Sequence, residues 1–189
     1  MYSYFYDHPL LDRPVKISYI YEYNSYYHFR GGIRVKNPNF SPIDGAILDL
    51  KKNDPKAIEL FYSKLIDIFD SFDDLNNMYF SAIPSHTANA NISSMHIIAK
   101  RLSDHYNKDD YSEVLQRYKN IPRLSDGGFR NIGVHISSIR INPRFNVKSK
   151  VFFLLDDITT SGSSMAAGSQ ILKIGGASKV ICLALSHKF

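Results

Sequence analysis

Residues 152–164, Phe-Phe-Leu-Leu-Asp-Asp-Ile-Thr-Thr-Ser-Gly-Ser-Ser, concentrate side chains able to do chemistry in this 189-residue chain. Four apolar residues lead to two adjacent carboxylates, and a hydroxyl-rich turn with one glycine then enters a helical pattern. Such a turn can wrap an anion. N–H groups at a helix start point outward without intrahelical partners, and the helix dipole favours negative charge there. Thr160, Ser161, Ser163 and Ser164 add hydroxyl donors, and Gly162 lets the backbone approach closely or take a positive φ. A phosphate fits this nest. Asp156 and Asp157 suit a different group. As acceptors they can take hydrogen bonds from two neighbouring sugar hydroxyls, or help to hold a divalent cation. A ribose 5-phosphate meets both demands, with hydroxyls at one end and phosphate at the other.

Capping alone would explain a single Asp or Ser before a helix. Two carboxylates, several hydroxyls and a glycine are more than capping requires. A standard P-loop is excluded, because no Gly-Lys-Ser/Thr follows.

Around this segment the pattern is strand and helix in alternation. Residues 151–155 form a continuous apolar run, as a buried parallel strand does. Residues 163–174 read as a helix stopped by Gly175-Gly176, and 179–185 as the last strand. Upstream, Asp54-Pro55 opens a helix with Asp at the N-cap and Pro at N1. Ile58, Phe61, Tyr62, Leu65, Ile66 and Phe69 follow at helical spacing. Residues 78–83 read as a strand ended by Pro84, and 92–106 as an amphipathic helix. Residues 113–118 are ambiguous, 120–129 read as a loop, and 134–141 alternate like a strand. Near the N-terminus, 15–23 and 26–35 read as strands around an Asn24-Ser25 turn, with Gly31-Gly32 as a bulge or close approach. Tyr19, Tyr21, Tyr23, Tyr26 and Tyr27 suit a half-buried sheet, or a base-stacking or partner-binding face. The expected class is α/β with a mainly parallel central sheet flanked by helices. Ligands in such sheets bind at the carboxyl ends of the strands, which directs attention to Asp156 and Pro84 onward.

Composition bounds the rest. The length fits one α/β domain. No apolar run approaches the ~20 residues of a membrane span, and the start lacks the basic flank and apolar stretch of a signal peptide. A cytoplasmic location is expected. The single cysteine, Cys182, excludes an intrachain disulfide and a cysteine-based zinc ribbon, and reads as a buried structural thiol. Residues 100–150 hold 11 Lys/Arg against 5 Asp/Glu, whereas the remainder holds 12 against 13, so the chain's net charge of +5 arises in the middle segment. Such a region can serve a phosphorylated small molecule, a nucleic acid backbone or an ordinary solvated surface.

The 152–164 segment resembles the 5-phosphoribosyl-1-pyrophosphate (PRPP) signature of the type I phosphoribosyltransferases. That resemblance implies the type I phosphoribosyltransferase fold, with residues 1–50 as a small N-terminal β-rich hood and 51–189 as the core. It implies Asp156 and Asp157 on the ribose hydroxyls, and Thr160, Ser161, Gly162, Ser163 and Ser164 on the 5′-phosphate. Mg²⁺ would enter with PRPP and not through a protein cage. More loosely, the chain is similar to ComF-type members. It shares with them Leu50-Lys51-Lys52, Ile83-Pro84, the helix after Asn91, the basic stretch 117–123, Arg130-Asn131 and the late position of the signature. Their cysteine zinc ribbon is absent, and Ser85-His86-Thr87-Ala88-Asn89 stands where their Arg-Gly-Phe-Asn segment is expected. In the fold that turn contacts pyrophosphate, so Ser85, His86 and Thr87 are candidate contacts, together with Arg117, Arg123 and Arg130. Positive charge is needed where pyrophosphate leaves. Thr160 occupies the position at which some purine-salvage relatives carry an Asp base, so no catalytic base is assigned.

Three functions follow from the resemblance. The chain transfers phosphoribosyl from PRPP to an unidentified acceptor. Or it is a non-catalytic PRPP sensor or nucleic-acid-linked adaptor. Or it is a phosphoribosyltransferase toxin of a phage-defence module with a DprA-like protein partner. A homodimer is compatible with all three.

Overall fold

The computed structural model describes residues 1–72, 75–88, 92–122 and 131–189. Nine strands and five helices lie within them: β1 Tyr2–Tyr6, β2 Val15–Glu22, β3 Tyr27–Arg30, β4 Ile33–Lys36, α1 Pro42–Leu50, α2 Pro55–Phe69, β5 Met78–Ala82, α3 Ser94–His105, β6 Leu115–Arg117, α4 Ile132–Ile136, β7 Ile139–Ile141, β8 Val151–Thr159, α5 Ser163–Ile174 and β9 Lys179–His187. The main sheet runs β1-β2-β9-β8-β5, with parallel pairing throughout except the antiparallel β1–β2 edge. The mainly parallel α/β class read from the sequence is therefore the observed one.

Both faces of the sheet are covered, so its central strands are apolar on both sides. Phe153, Leu155, Leu183 and Leu185 pack with Leu50, Phe61, Leu65, Phe69, Ile98 and Leu102 of α1, α2 and α3. Phe152, Leu154, Cys182 and Ala184 point the other way, against Met165, Ala166 and Leu172 of α5. Phe153 sits in an aromatic cluster, 4.6 Å from the Phe69 ring and 5.8 Å from that of Phe80. Cys182 is buried, and desolvation pushes its thiol pKa up, consistent with a structural role.

Three expectations are corrected. Residues 134–141 do not form one strand. Asn131 caps α4 through a bond from the Val134 N–H to its Oδ1 at 3.1 Å, and the Ser138 hydroxyl donates to Val134 O, so the first half is helical and only Ile139–Ile141 pairs, with β6. Residues 26–35 are not one strand either. Gly31 (φ 59°) and Gly32 (φ 81°) occupy the two central positions of a tight turn, which folds β3 back on β4. A Cβ built on either glycine would meet nothing within 4 Å among the described residues, so this is a hairpin turn and not a bulge or close approach. Finally, β8 continues four residues past Leu155, to Thr159.

Residues 1–22 contribute β1 and β2 to the main sheet, whereas β3 and β4 pair only with each other. Two elements were not expected. One is β1. The other is α1, started by a Ser41–Asp44 capping box and Pro42 in its first turn. Truncating the aromatic centre tests the packing. Phe153→Ala should lower unfolding stability by about 3–5 kcal/mol in a urea titration. A loss below about 1 kcal/mol would mean that this cluster is not the core of that layer.

Candidate functional site

The cleft exists because two neighbouring strands end at different heights. β5 pairs with β8 as far as Ala82 opposite Leu155, and the Ile83 N–H then donates to Leu155 O at 2.9 Å. Pro84 follows. β8 meanwhile continues beside β9, with Asp156 opposite Ala184, Ile158 opposite Ser186 and Thr159 opposite His187. Past Leu155, β8 therefore has a strand partner on one flank only. A cavity of about 600 Å³ opens there, at the carboxyl ends of the parallel strands.

Asp156 and Asp157 line this cavity together with Thr160, Ser161, Gly162, Ser163 and Ser164. Each carboxylate uses one oxygen locally. Asp156 Oδ1 accepts from the Asp157 N–H at 2.9 Å, and Asp157 Oδ1 accepts from the Ile158 N–H at 2.6 Å. Among the described residues the second oxygens make long contacts: Ser164 Oγ to Asp156 Oδ2 at 3.5 Å, and Lys51 Nζ to Asp157 Oδ2 at 3.8 Å. Acceptor capacity for hydroxyl donors therefore remains on both residues. Burial, and then the neighbouring Asp157 charge, push the Asp156 carboxyl well above the ordinary carboxylate range.

Gly162 lies in the hydroxyl-rich turn at φ 86° as the N-cap of α5, with no side-chain cap hydrogen bond. A Cβ there would lie 2.5 Å from Ile17 Cδ1 and 2.8 Å from the Tyr4 hydroxyl, so the position requires glycine on two grounds. Ser161 Oγ lies 3.1 Å from Ser163 Oγ and accepts from the Ser163 N–H at 3.4 Å, which folds the hydroxyls over the helix start.

Across the cleft stands the turn after β5. Ser85 and His86 line the cavity; Thr87 does not, and instead borders a neighbouring cavity of about 100 Å³. Arg117 also lines the main cleft, yet it is 3% exposed. Its guanidinium donates to Ser85 O, to Ser138 Oγ at 2.5 Å and to Pro84 O at 3.5 Å, and lies 3.4 Å from His135 Nδ1. These contacts brace the turn from behind. Arg123 and Arg130 lie outside the described residues.

Lys51, Tyr23, Ser25, His135 and Lys188 line the cavity without having been singled out as site residues. For Lys51 a signal existed in the Leu50-Lys51-Lys52 segment. It stands at the end of α1, where Ser94 Oγ ties α3 to Leu50 O and, at 2.6 Å, to Asn53 Oδ1. Tyr23 reaches the rim because its N–H donates to His187 O at 2.7 Å, and burial raises its phenol pKa, with Asp44 and Asp157 adding to the effect. Among the described residues no group of three or more His, Cys, Asp or Glu is placed to hold a metal, and no helix is long and apolar enough to cross a membrane.

The raised Asp156 pKa has a consequence for stability. In the unfolded chain this carboxyl ionises near the ordinary value of about 3.9. Above that pH, and until the folded carboxyl ionises in turn, the folded state holds a proton that the unfolded state has lost, so stability falls as pH rises. Asp156→Asn removes the ionisation. Ligand-free thermal melts should show the variant above the parent at about pH 8 and less dependent on pH from about 5 upward. Parallel curves for the two proteins would refute the assignment.

No family model matches the chain, and no curated protein matches it. Among solved structures it is similar to a phosphoribosylpyrophosphate synthetase from Mycobacterium smegmatis, at 18% identity and a TM-score of 0.40 over 70% of this chain; it spans 33% of that protein's length. It is also similar to adenine phosphoribosyltransferases from Leishmania tarentolae (10% identity, TM-score 0.45, 81% of this chain and 78% of that one) and Leishmania donovani (9%, 0.46, 88% and 75%).

Proposed function

We propose that this protein binds PRPP in the cleft beside β8 and acts as a phosphoribosyltransferase-like protein. The observation that carries the reading is the convergence on one cavity of an acidic pair, a hydroxyl-rich helix start and the Pro84–Ser85 turn. Ribose hydroxyls would donate to Asp156 and Asp157, whose second oxygens keep acceptor capacity. The 5′-phosphate would sit against the 160–164 turn and the start of α5. Pyrophosphate would lie toward Ser85 and His86, with Lys51 on the same cavity wall system. Oxygen donors of the acidic pair suit Mg²⁺, which would arrive on the diphosphate and neutralise charge as the leaving group departs. The protein's own task in transfer is to fix the ribose between these two ends while an acceptor approaches C1.

Replacing both Asp156 and Asp157 by Ala should abolish PRPP binding in calorimetry with Mg²⁺ present. An unchanged Kd would sink this reading. Pyrophosphate release, assayed against candidate acceptors, separates transfer from binding.

A second reading, an adaptor for single-stranded nucleic acid, is favoured by the β3–β4 hairpin. Tyr27 pairs with Lys36 and Phe29 with Arg34, which places two aromatics and two cations on one face. Phe29 is 76% exposed, and the Arg34 guanidinium lies 3.9 Å from the Tyr27 ring centre. Residues 24–43 contain no Asp or Glu. Aromatic rings about 7 Å apart along a strand, interleaved with cations, suit stacked bases and a phosphate chain. In fluorescence anisotropy with a labelled single-stranded oligonucleotide, Phe29→Ala should weaken binding by about 1–3 kcal/mol, and affinity should fall steeply with salt. Equal binding by the variant would remove the hairpin from any such role.

A further inference from the structure

The first strand bears on the phosphate turn from beneath. β1 is an edge strand, paired only with β2, and Tyr2, Tyr4 and Tyr6 alternate onto one face. Tyr4 packs against the His187 ring at 4.6 Å and the Tyr19 ring at 6.2 Å. Its hydroxyl meets Thr159 Oγ1 at 2.8 Å. The same hydroxyl lies 2.8 Å from where a Cβ on Gly162 would stand, and Tyr4 Cε2 lies 3.4 Å from it. Thr159 is the last residue of β8 and is buried; the Lys188 N–H donates to its carbonyl at 2.9 Å. The turn 160–164 thus leaves β8 at Thr159, which one phenol hydrogen-bonds, and the same phenol occupies the space that a side chain at Gly162 would need. Tyr4 is not among the cavity-lining residues, so it acts on the turn without facing the ligand.

We infer that Tyr4 is a positioning residue for the phosphate turn, holding Gly162 in its left-handed conformation so that the first amides of α5 aim into the cleft. This rests on the PRPP reading for the identity of the ligand, but the geometry it invokes does not. A ring that merely filled the core would need no hydroxyl. The hydroxyl instead forms a hydrogen bond at the hinge of the turn, and the glycine leaves it room. A misplaced helix start loses a phosphate contact with little change in the fold, because turn and ligand must match within fractions of an ångström.

The test compares the parent protein with Tyr4→Phe, Thr159→Val and the double variant, in calorimetry with ribose 5-phosphate and, separately, with pyrophosphate. Both substitutions keep the side-chain volume and remove only the hydroxyl pair. Each single variant should bind ribose 5-phosphate about 3- to 10-fold more weakly, the scale of one hydrogen bond. The double variant should be no worse than either single one, because both remove the same interaction. Pyrophosphate affinity should not change. Unaltered ribose 5-phosphate affinity overturns the inference, and so does an equal loss for both ligands, which would signal general loosening. If the parent binds neither ligand, the PRPP reading fails, and amide exchange then decides the positioning role alone. The Ala166 N–H donates to Gly162 O at 2.9 Å, the first helical bond of α5. Faster exchange at Ala166 in Tyr4→Phe, with interior strand amides unchanged, upholds positioning; identical exchange overturns it.

Discussion

β8 is held on both flanks only as far as Leu155, and on one flank for the four residues beyond. That difference in strand length creates the cavity and decides what can stand in it. A doubly paired central strand has no room beside it for a ligand. A strand without β9 alongside could not keep Asp156 and Asp157 in place. Half-paired, β8 carries its acidic pair out of the apolar layer while the backbone stays anchored. The arrangement has a cost, since Asp156 is desolvated and stands next to a second carboxylate. Hydroxyl donors or a cation brought by a ligand would offset that cost, so binding and stability are coupled at this point.

Two turns face each other across the cavity, and each is braced from behind by a polar side chain. Arg117 ties the Pro84–Ser85 turn to Ser138 beside α4 and β7. Tyr4 hydrogen-bonds Thr159 at the end of β8, where the 160–164 turn begins. Neither brace is local: Arg117 lies 32 positions from Ser85 in sequence, and Tyr4 lies 155 from Thr159. Arg117 donates to its partners, whereas either hydroxyl of the Tyr4–Thr159 pair can donate to the other. The acidic pair lacks such rigid support. Its contact to Lys51 is long and half-exposed, and such a pair contributes little. The cleft therefore has braced turns at its ends and a more loosely held acidic middle.

The grouping of the acidic pair with the hydroxyl-rich turn was legible because it is local. Carboxylates, hydroxyls and glycine within 152–164 follow one another in the order in which a strand, a turn and a helix present them. The start of α2 was legible for the same reason: Asp54 Oδ1 accepts from the Lys56 and Ala57 N–H groups at 2.9 Å, the bonds that an Asp-Pro start implies. Residues 134–141 misled because Val, Ile, Ser and Ile alternate as well on a strand as across a short helix, and the deciding cap lies outside them at Asn131. The capping box of α1 was written in Ser41 and Asp44, but Gly45 and a short apolar face made the helix faint. Arg117 shows a deeper limit. The sequence named Arg117 as a candidate pyrophosphate contact but could not show that the carbonyls of a distant turn bury its guanidinium at the cavity wall. Nor could composition divide the tyrosines: Tyr19 is buried in the sheet, Tyr23 reaches the cleft, and Tyr27 stands on the hairpin.

The cavity walls also constrain how a proton could move. Among the described lining residues the only carboxylates are Asp156 and Asp157. Each already accepts a backbone N–H, and in the proposed complex both accept ribose hydroxyls as well. Neither could deprotonate an acceptor without releasing the sugar that it holds. Thr160, exposed at the rim, has a hydroxyl that is far too weak a base at neutral pH. His86 and His135 also line the cavity, and His135 Nδ1 lies 3.4 Å from the Arg117 guanidinium. An acceptor served by this cleft would thus be one that arrives as a competent nucleophile, or one that gives its proton to a group other than the acidic pair.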